Sequence, residues 1–491
     1  MIRIPFEYSY ATQLPQACAA ANPDTPAAPR LLFWQAGLAG ELGLGTTSVD
    51  DATLAALFSG AQLPAAAQPV AQVYAGHQFG GYSPQLGDGR ALLLGEVVDT
   101  AGQRRDIAFK GSGRTPFSRR GDGKAAVGPM LRELIIGEAM HALGIPTTRA
   151  LAVVATGDTV YRDRPLPGAV LTRVAASHIR VGTFEYFANR GDEATLRQLA
   201  AYTLQRHYPQ LQHAANPYLA MLEAVCQRQA SLLAQWMHAG FIHGVMNTDN
   251  MTLSGETIDY GPCAFMDAYD PATVFSSIDE RGRYAYGNQP AIAQWNLARL
   301  AEALLPLLDA ASMDEAVAQA TEVIQGFQAH YQQAWLAQAR VKLGLADAQE
   351  DDLALAEDWL LMLHRQRVDF TLAWRYLADA LEGEAPRLAG LFAQPAVLHT
   401  WLARWQARLA VSGRPAALVA ASMRAANPLY IARNHLVEEA LAAASEYGDT
   451  GLAQQLLAVL AQPFTERPGL ARYTQPASAE LALGYRTFCG T

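Results

Sequence analysis

The chain has 491 residues, 51% of them hydrophobic and 17% charged, with a formal net charge of −9. That length and composition describe a globular protein of two or three domains or two large lobes and exclude disorder as the default, while the acidic balance argues against a chain that binds nucleic acid or an anionic membrane as a whole. Four scattered cysteines (Cys18, Cys226, Cys263, Cys489) lack metal-ligand spacing, and no leader-like or membrane-length apolar run is present, so the expectation is a cytoplasmic protein with no membrane span.

Residues 1–69 are rich in alanine and proline, with short helical patches such as 47–58, which opens on the start signals Ser48 and Asp50. No chemistry is readable there. Residues 73–99 place glycines at 76, 80, 81, 87 and 89 before a strand-like run, 91–98, and backbone N–H groups in such a stretch can come close to phosphates or a base. The pattern is neither a Walker A loop nor G-x-G-x-x-G, so taken alone it reads more readily as an ordinary hairpin loop. Arg90, at its exit, would set a cation beside a nucleotide.

Asp106-Ile107-Ala108-Phe109-Lys110 reads as a strand ending in lysine, the pattern of the kinase V-A-I-K, in which the lysine grips phosphates and pairs with a helix glutamate. Residues 130–143 have helical apolar spacing and offer Glu133 for that pair. Between these elements, residues 111–129 concentrate Arg114, Arg119, Arg120 and Lys124 among glycines, which suits a polyphosphate. Asp122-Gly123 lies in the same loop, where the carboxylate can accept hydrogen bonds from a ribose or a base edge; a solvated flexible loop is the alternative, and a local RNA-binding patch a third. Residues 150–154 and 168–174 then read as strands. Arg173 and Arg180 add cations, and His178 reads as a packing residue.

Residues 216–240 predict a helix closed by Gly240, with Cys226 on its core face. It delivers the chain into the most informative stretch, residues 241–263. There Met251-Thr252-Leu253 and Thr257-Ile258-Asp259 read as two short strands around a Ser254-Gly255 turn, a hairpin with Asp249, Asn250 and Asp259 at its ends. Such oxygen donors are hard ligands, suited to Mg²⁺ held jointly with phosphate. Laid on the kinase pattern H-R-D-x-x-x-x-N followed by D-F-G, His243, Asn250 and Asp259-Tyr260-Gly261 fall into place, but Val245 stands where the catalytic aspartate belongs. A valine cannot take a proton. Asp249 supplies a carboxylate beside the asparagine, so either the base has moved or the chemistry has changed.

Beyond Cys263 a glycine- and tyrosine-rich loop enters a helix near Pro290, and the rest is alanine-rich and helical, with Trp335, Trp359, Trp374, Trp401 and Trp405 at core-like positions. The fold class expected is α+β: a protein-kinase-like two-lobed fold with a small mixed α/β N-lobe and a large, mainly helical C-lobe.

In this order along the chain, GHQFG, GDGRA, FKGSGRTPFSRRGDGKA, RE-x-x-x-GEAM, HGVMNTDNM, DYGPCAFMDAYDP and GRYAYGNQP resemble the selenoprotein O family. The resemblance implies a kinase-like fold that binds ATP in a flipped orientation and transfers AMP to Ser, Thr or Tyr hydroxyls of proteins, releasing pyrophosphate. It implies that Gly87, Gly89, Arg90, Asp122 and Gly123 hold the nucleotide and that Lys110, paired with Glu133, binds phosphate together with Arg173 and Arg180. Asp249 would be the general base, while Asn250 and Asp259 would bind Mg²⁺ or Mn²⁺, Asp259 also belonging to the nucleotide site.

On the same resemblance Cys489 is a redox candidate. Cys263 is the nearest possible partner; a buried Cys263 and a free tail thiol is the other reading. The implied organisation is an N-terminal extension packed on the lobes (1–69), a nucleotide-binding N-lobe (70–180), and a helical C-lobe (181–491) that holds the catalytic loop at 241–263 and a redox-type tail. ATP and proteins bearing hydroxyl side chains are the expected partners, with no nucleic acid and no membrane. A kinase-like phosphotransferase and a catalytically inactive nucleotide-binding scaffold stay open as alternatives.

Overall fold

The computed structural model describes residues 4–45, 49–64 and 67–488. Among the described residues of the N-terminal part lie ten strands: β1 (Cys18–Ala20), β2 (Arg30–Trp34), β3 (Val70–Gln72), β4 (Gly76–Gln78), β5 (Gly81–Ser83), β6 (Ala91–Val98), β7 (Arg104–Lys110), β8 (Ala125–Ala126), β9 (Arg149–Tyr161) and β10 (Pro165–Ala175). The main sheet runs β1-β3-β6-β7-β10-β9-β2, with β8 on β10, and β4 and β5 pair separately as a small hairpin. Part of the N-terminal extension is therefore not a covering layer. It supplies β1 against β3 and β2 against β9, the two ends of the sheet.

Because successive side chains on a strand face opposite ways, the central strands bury both faces and read as nearly continuous apolar runs. Leu92, Leu94, Ile107, Phe109, Val154 and Val170 pack with residues of the helix Asp51–Ser59, whereas Leu93, Val153 and Leu171 pack with the helix Val127–Ala142. Asp50 caps the first of these helices by accepting from Thr53 N at 2.8 Å, as its position suggested. Thr47 and Ser48 lie outside the described residues.

From residue 181 onward the chain is mainly helical. The helix Pro217–Ala239 is capped by Asn216, whose side chain accepts from Leu219 N, and ends on Gly240 at φ 71°, a left-handed turn that suits glycine. The turn aims the chain into Phe241–Ile242, which pairs antiparallel with Ala264–Phe265 and so closes the base of the 241–263 segment. Trp359, Trp374, Trp401 and Trp405 are buried together in a second core formed by the C-terminal helices. Arg433, fully buried, bridges Asp267 and Asp369 and ties the segment after Asp259 to that core. Among the described residues no helix is long and apolar enough to cross a membrane.

One expectation fails. Residues 251–259 do not form a two-stranded hairpin: Thr252 makes a single antiparallel bridge to Arg180, and Thr257 a single parallel bridge to Thr147. The physical reason is that a side chain closes the turn, with Thr252 Oγ1 donating to Glu256 O at 2.7 Å and accepting from Glu256 N at 3.1 Å. The backbone of Thr257 is thereby left to bond Pro146 O and Thr148 N in the N-terminal part.

Candidate active site

Lys110, at the end of β7, and Glu133, in the second turn of the helix Val127–Ala142 behind the sheet, meet at 2.5 Å. The ammonium also lies 2.7 Å from Asp259 Oδ1. Arg173 stands opposite Ala108 in the β10–β7 register, so it emerges beside Lys110; its Nη1 reaches Asp259 Oδ1 at 2.8 Å and Glu133 Oε1 at 3.1 Å. Arg180, just before the helix Val181–Ala188, donates through Nη1 to Asp259 Oδ2 at 2.8 Å and to the carbonyl of Asp249 at 2.7 Å. Burial alone would raise the Asp259 carboxyl, but Lys110, Arg173 and Arg180 together hold it well below the usual carboxylate range. Asp259 sits at φ 63°, a left-handed conformation that costs a residue with a Cβ on the order of 1 kcal/mol. Three charge-assisted contacts offset that cost.

Asp249 lies on the short 3₁₀ turn Thr248–Asn250. Its Oδ2 accepts from Gln78 Nε2 at 3.2 Å, whereas Oδ1 is buried and has no hydrogen-bond partner among the described residues. Burial pushes the carboxyl up to about 6 against the pull of Arg180, so the group is poised to exchange a proton near neutrality. Asn250 donates through Nδ2 to Val245 O at 3.0 Å, which leaves its side-chain oxygen available as an acceptor. Val245 lines the cleft, so the kinase position for the base carries no titratable group. His243 is structural: it is buried, its Nε2 lies 2.9 Å from Ile258 O, and its ring stacks on Trp236.

The rim of the cleft is built by close backbone approaches. A Cβ on Gly87 (φ 75°) would come within 2.5 Å of Phe117, and one on Gly123 (φ 68°) within 1.9 Å of Gly113 O, so the basic loop folds back on itself over Gly87 and Gly89. Asp122 is not left open. Arg162, from the β9–β10 turn, holds both its oxygens at 2.9 and 3.1 Å. Arg90 and Arg119 line the cleft and make no ion pair among the described residues.

Gly87, Gly89, Arg90, Lys110, Asp122, Gly123, Glu133, Arg173, Arg180, Asp249, Asn250 and Asp259 all line this one cleft of about 940 Å³. Cys263 does not line it; it is fully buried, and burial pushes its thiol up to about 12. Cys489 lies outside the described residues. Sequence reasoning missed Gln78, His77, Glu185 and Arg162. The one available signal was the His77-Gln78 pair inside the glycine-rich run; Glu185 and Arg162 sit in segments with no motif.

The donor set fits a hard divalent cation. Asn250 keeps its amide oxygen, and Asp259 Oδ2 carries a single ion pair that leaves it acceptor capacity.

The family model described as protein adenylyltransferase SelO matches residues 1–461. A Chromobacterium violaceum protein named protein nucleotidyltransferase YdiU is 68% identical over 478 residues, covering 97% of this chain and 100% of that protein. Proteins of the same name from Cereibacter sphaeroides (59% identical, 99% of each chain) and Rhizobium johnstonii (56% identical, 99% of this chain and 97% of that one) are similarly close.

Proposed function

As the chain belongs to the SelO family of protein adenylyltransferases, we propose that it transfers AMP from ATP to hydroxyl side chains of proteins, with pyrophosphate as the leaving group. The observation that carries this reading is the pairing of two unlike carboxylates across one cleft: Asp259, locked by three cations, and Asp249, buried and left with one oxygen unpartnered.

In this reading Lys110, Arg173, Arg180 and Arg90 meet the anionic phosphates, and the loop around Gly87, Gly89 and Gly123 lets backbone N–H groups come near the nucleotide. The triphosphate lies flipped relative to an ordinary kinase, so that the α-phosphorus faces the acceptor. Asp249 takes the proton of the acceptor hydroxyl, the oxygen bonds to the α-phosphorus, and the bond from that phosphorus to the bridging oxygen breaks, sending the electron pair onto pyrophosphate. Asn250 and Asp259 would hold Mg²⁺ or Mn²⁺, which supplies neutralisation of phosphate charge when bound. Asp122, held by Arg162, would reach the sugar or base only if that pair opens or Arg162 is shared.

The test is label position. With [α-³²P]ATP and a hydroxyl-bearing protein acceptor, label should become covalently attached to protein, and none should attach from [γ-³²P]ATP. Label from the γ-position only would establish a phosphotransferase, and no label from either would establish a binding scaffold.

A further inference from the structure

The β4–β5 hairpin lies in the glycine-rich run, yet three consecutive residues of β4 are directed at the 248–250 turn. Gly76 makes room for the carboxylate, since a Cβ there would stand 2.6 Å from Asp249 Oδ1. The backbone N–H of His77 donates to Thr248 Oγ1 at 2.7 Å. The side chain of Gln78 donates to Asp249 Oδ2 at 3.2 Å. The strand is pinned from the other side by Ala75 N bonding Gly182 O at 2.9 Å, and a Cβ on Gly182 would fall 2.1 Å from Ala75 O.

Behind this contact lies a buried polar chain with no role in the reaction described above. Thr248 Oγ1 donates to Glu185 Oε2 at 2.5 Å, and Glu185 Oε1 is held by His77 Nδ1. The His77 ring is itself wedged between Tyr82 and Trp295, with centroids 5.0 and 5.3 Å away. Thr248 and Glu185 are both buried, so each hydrogen bond in the chain is expensive to break and the geometry is over-determined. The two ends of the chain meet on one residue. Thr248 fixes the backbone immediately before Asp249, and Gln78 fixes one oxygen of its carboxylate.

We infer that Gln78, Thr248, Glu185 and His77 are positioning residues for the general base, holding the Asp249 carboxylate against β4 with Oδ1 packed on Gly76 and Oδ2 oriented by Gln78. The inference rests on Asp249 being that base. It assigns the GHQ part of the glycine-rich run to the acceptor side of the chemistry and not to the phosphates, and it separates turnover from nucleotide binding. A base displaced by a fraction of an ångström loses rate without losing ATP, because it touches the acceptor hydroxyl alone.

The experiment compares Thr248→Val, Thr248→Ser, Gln78→Leu and Asp249→Asn, each alone and with the Thr248→Val and Gln78→Leu changes also placed in the Asp249→Asn background. Turnover is read as ³²P transferred from [α-³²P]ATP to an acceptor protein, ATP affinity by calorimetry, and folding by thermal melting. Thr248→Val and Gln78→Leu are expected to lower kcat about 10- to 100-fold while changing the ATP Kd less than about threefold. Thr248→Ser, which keeps the hydroxyl, is expected to hold at least about half of the parent kcat, on the same hydrogen-bond argument. In the Asp249→Asn background neither change should reduce the residual rate further, as residues that act as a unit are non-additive.

Gln78 is only half-buried, so its variant reports even if Thr248→Val melts early. Parent-level kcat in both variants, losses that multiply in the Asp249→Asn background, or a fall in kcat matched by the fall in ATP affinity would each overturn the inference. Full turnover in Asp249→Asn alone would instead overturn the assignment of the base, and the positioning role with it.

Discussion

Arg180 Nη1 and Asp259 Oδ2 form an ion pair of 2.8 Å, and the same nitrogen holds the carbonyl of Asp249 at 2.7 Å. One guanidinium thus fixes the distance between Asp259, proposed to hold metal, and Asp249, proposed to take a proton. Arg180→Ala is expected to weaken ATP binding about 10- to 100-fold, the scale of a lost charge-assisted contact, and adenosine binding less than about threefold. Calorimetry with both ligands checks this, and equal losses would assign Arg180 to structure alone.

Asp259→Ala is expected to lower AMP transfer by about 10³-fold, the order seen when a preorganised electrostatic group is removed. It also leaves Lys110 and Arg173 beside Arg180 without their shared counter-ion. The folded protein should therefore lose on the order of 2 kcal/mol of stability while keeping its fold. Unchanged thermal melting together with unchanged turnover would remove Asp259 from the site.

The acid limb of the kcat/KM profile is expected near pH 6. Burial raises the Asp249 carboxyl to about 6, so below that pH the group is protonated and cannot accept the proton of the acceptor, and the rate should fall roughly tenfold per pH unit. The residual rate of Asp249→Asn should lack this limb. A parent profile flat from pH 5 to about 7 would contradict the role given to Asp249.

Lys342 is buried in the C-terminal core, with Nζ 2.6 Å from His238 O and above the rings of Trp374 and Phe370. Burial lowers its ammonium from 10.5 to about 7. Between those values the unfolded chain holds a proton that the folded chain does not, so this group makes stability rise with pH across that window, and its full penalty applies below about 7. Lys342→Met is expected to be more stable than the parent by on the order of 2 kcal/mol at pH 6, net of the lost bond to His238 O, with the difference vanishing by about pH 10.5. Denaturant melts at the two pH values check the sign. A variant less stable than the parent at pH 6 would show that the ammonium contributes more than its burial costs.

The site was legible wherever it depends on order along the chain. Lys110 at a strand end, Glu133 early in the next helix, and Asn250 nine residues before Asp259 can be found by spacing alone, because secondary structure turns spacing into direction. The expected strand 91–98 is the strand found, and the helix expected over 216–240 is found as Pro217–Ala239, stopped by the Gly240 that suggested its end. What could not be read was contact between distant segments. Gln78 and Asp249 are 171 positions apart and Arg162 and Asp122 are 40 apart, and neither pair follows a local period. The hairpin expected at 251–259 failed for a local reason that composition hides: Thr252 used its hydroxyl, not its backbone, to close the turn.

The strands contributed by residues before 70 carry a consequence for how this protein tolerates truncation. A sheet edge is a row of unpaired N–H and C=O groups that will pair with any extended chain, including another copy of itself. With β1 on β3 and β2 on β9, the inner strands of the main sheet are shielded at either end by chain that holds none of the residues assigned to catalysis. A version starting at residue 70 would keep all twelve cleft residues, yet it would expose β3 and the long β9 as open templates for self-association. The residues before 70 therefore close both ends of the sheet and, through the helix Asp51–Ser59, cover one of its faces, so their loss is expected to register as unfolding and precipitation before it registers in turnover.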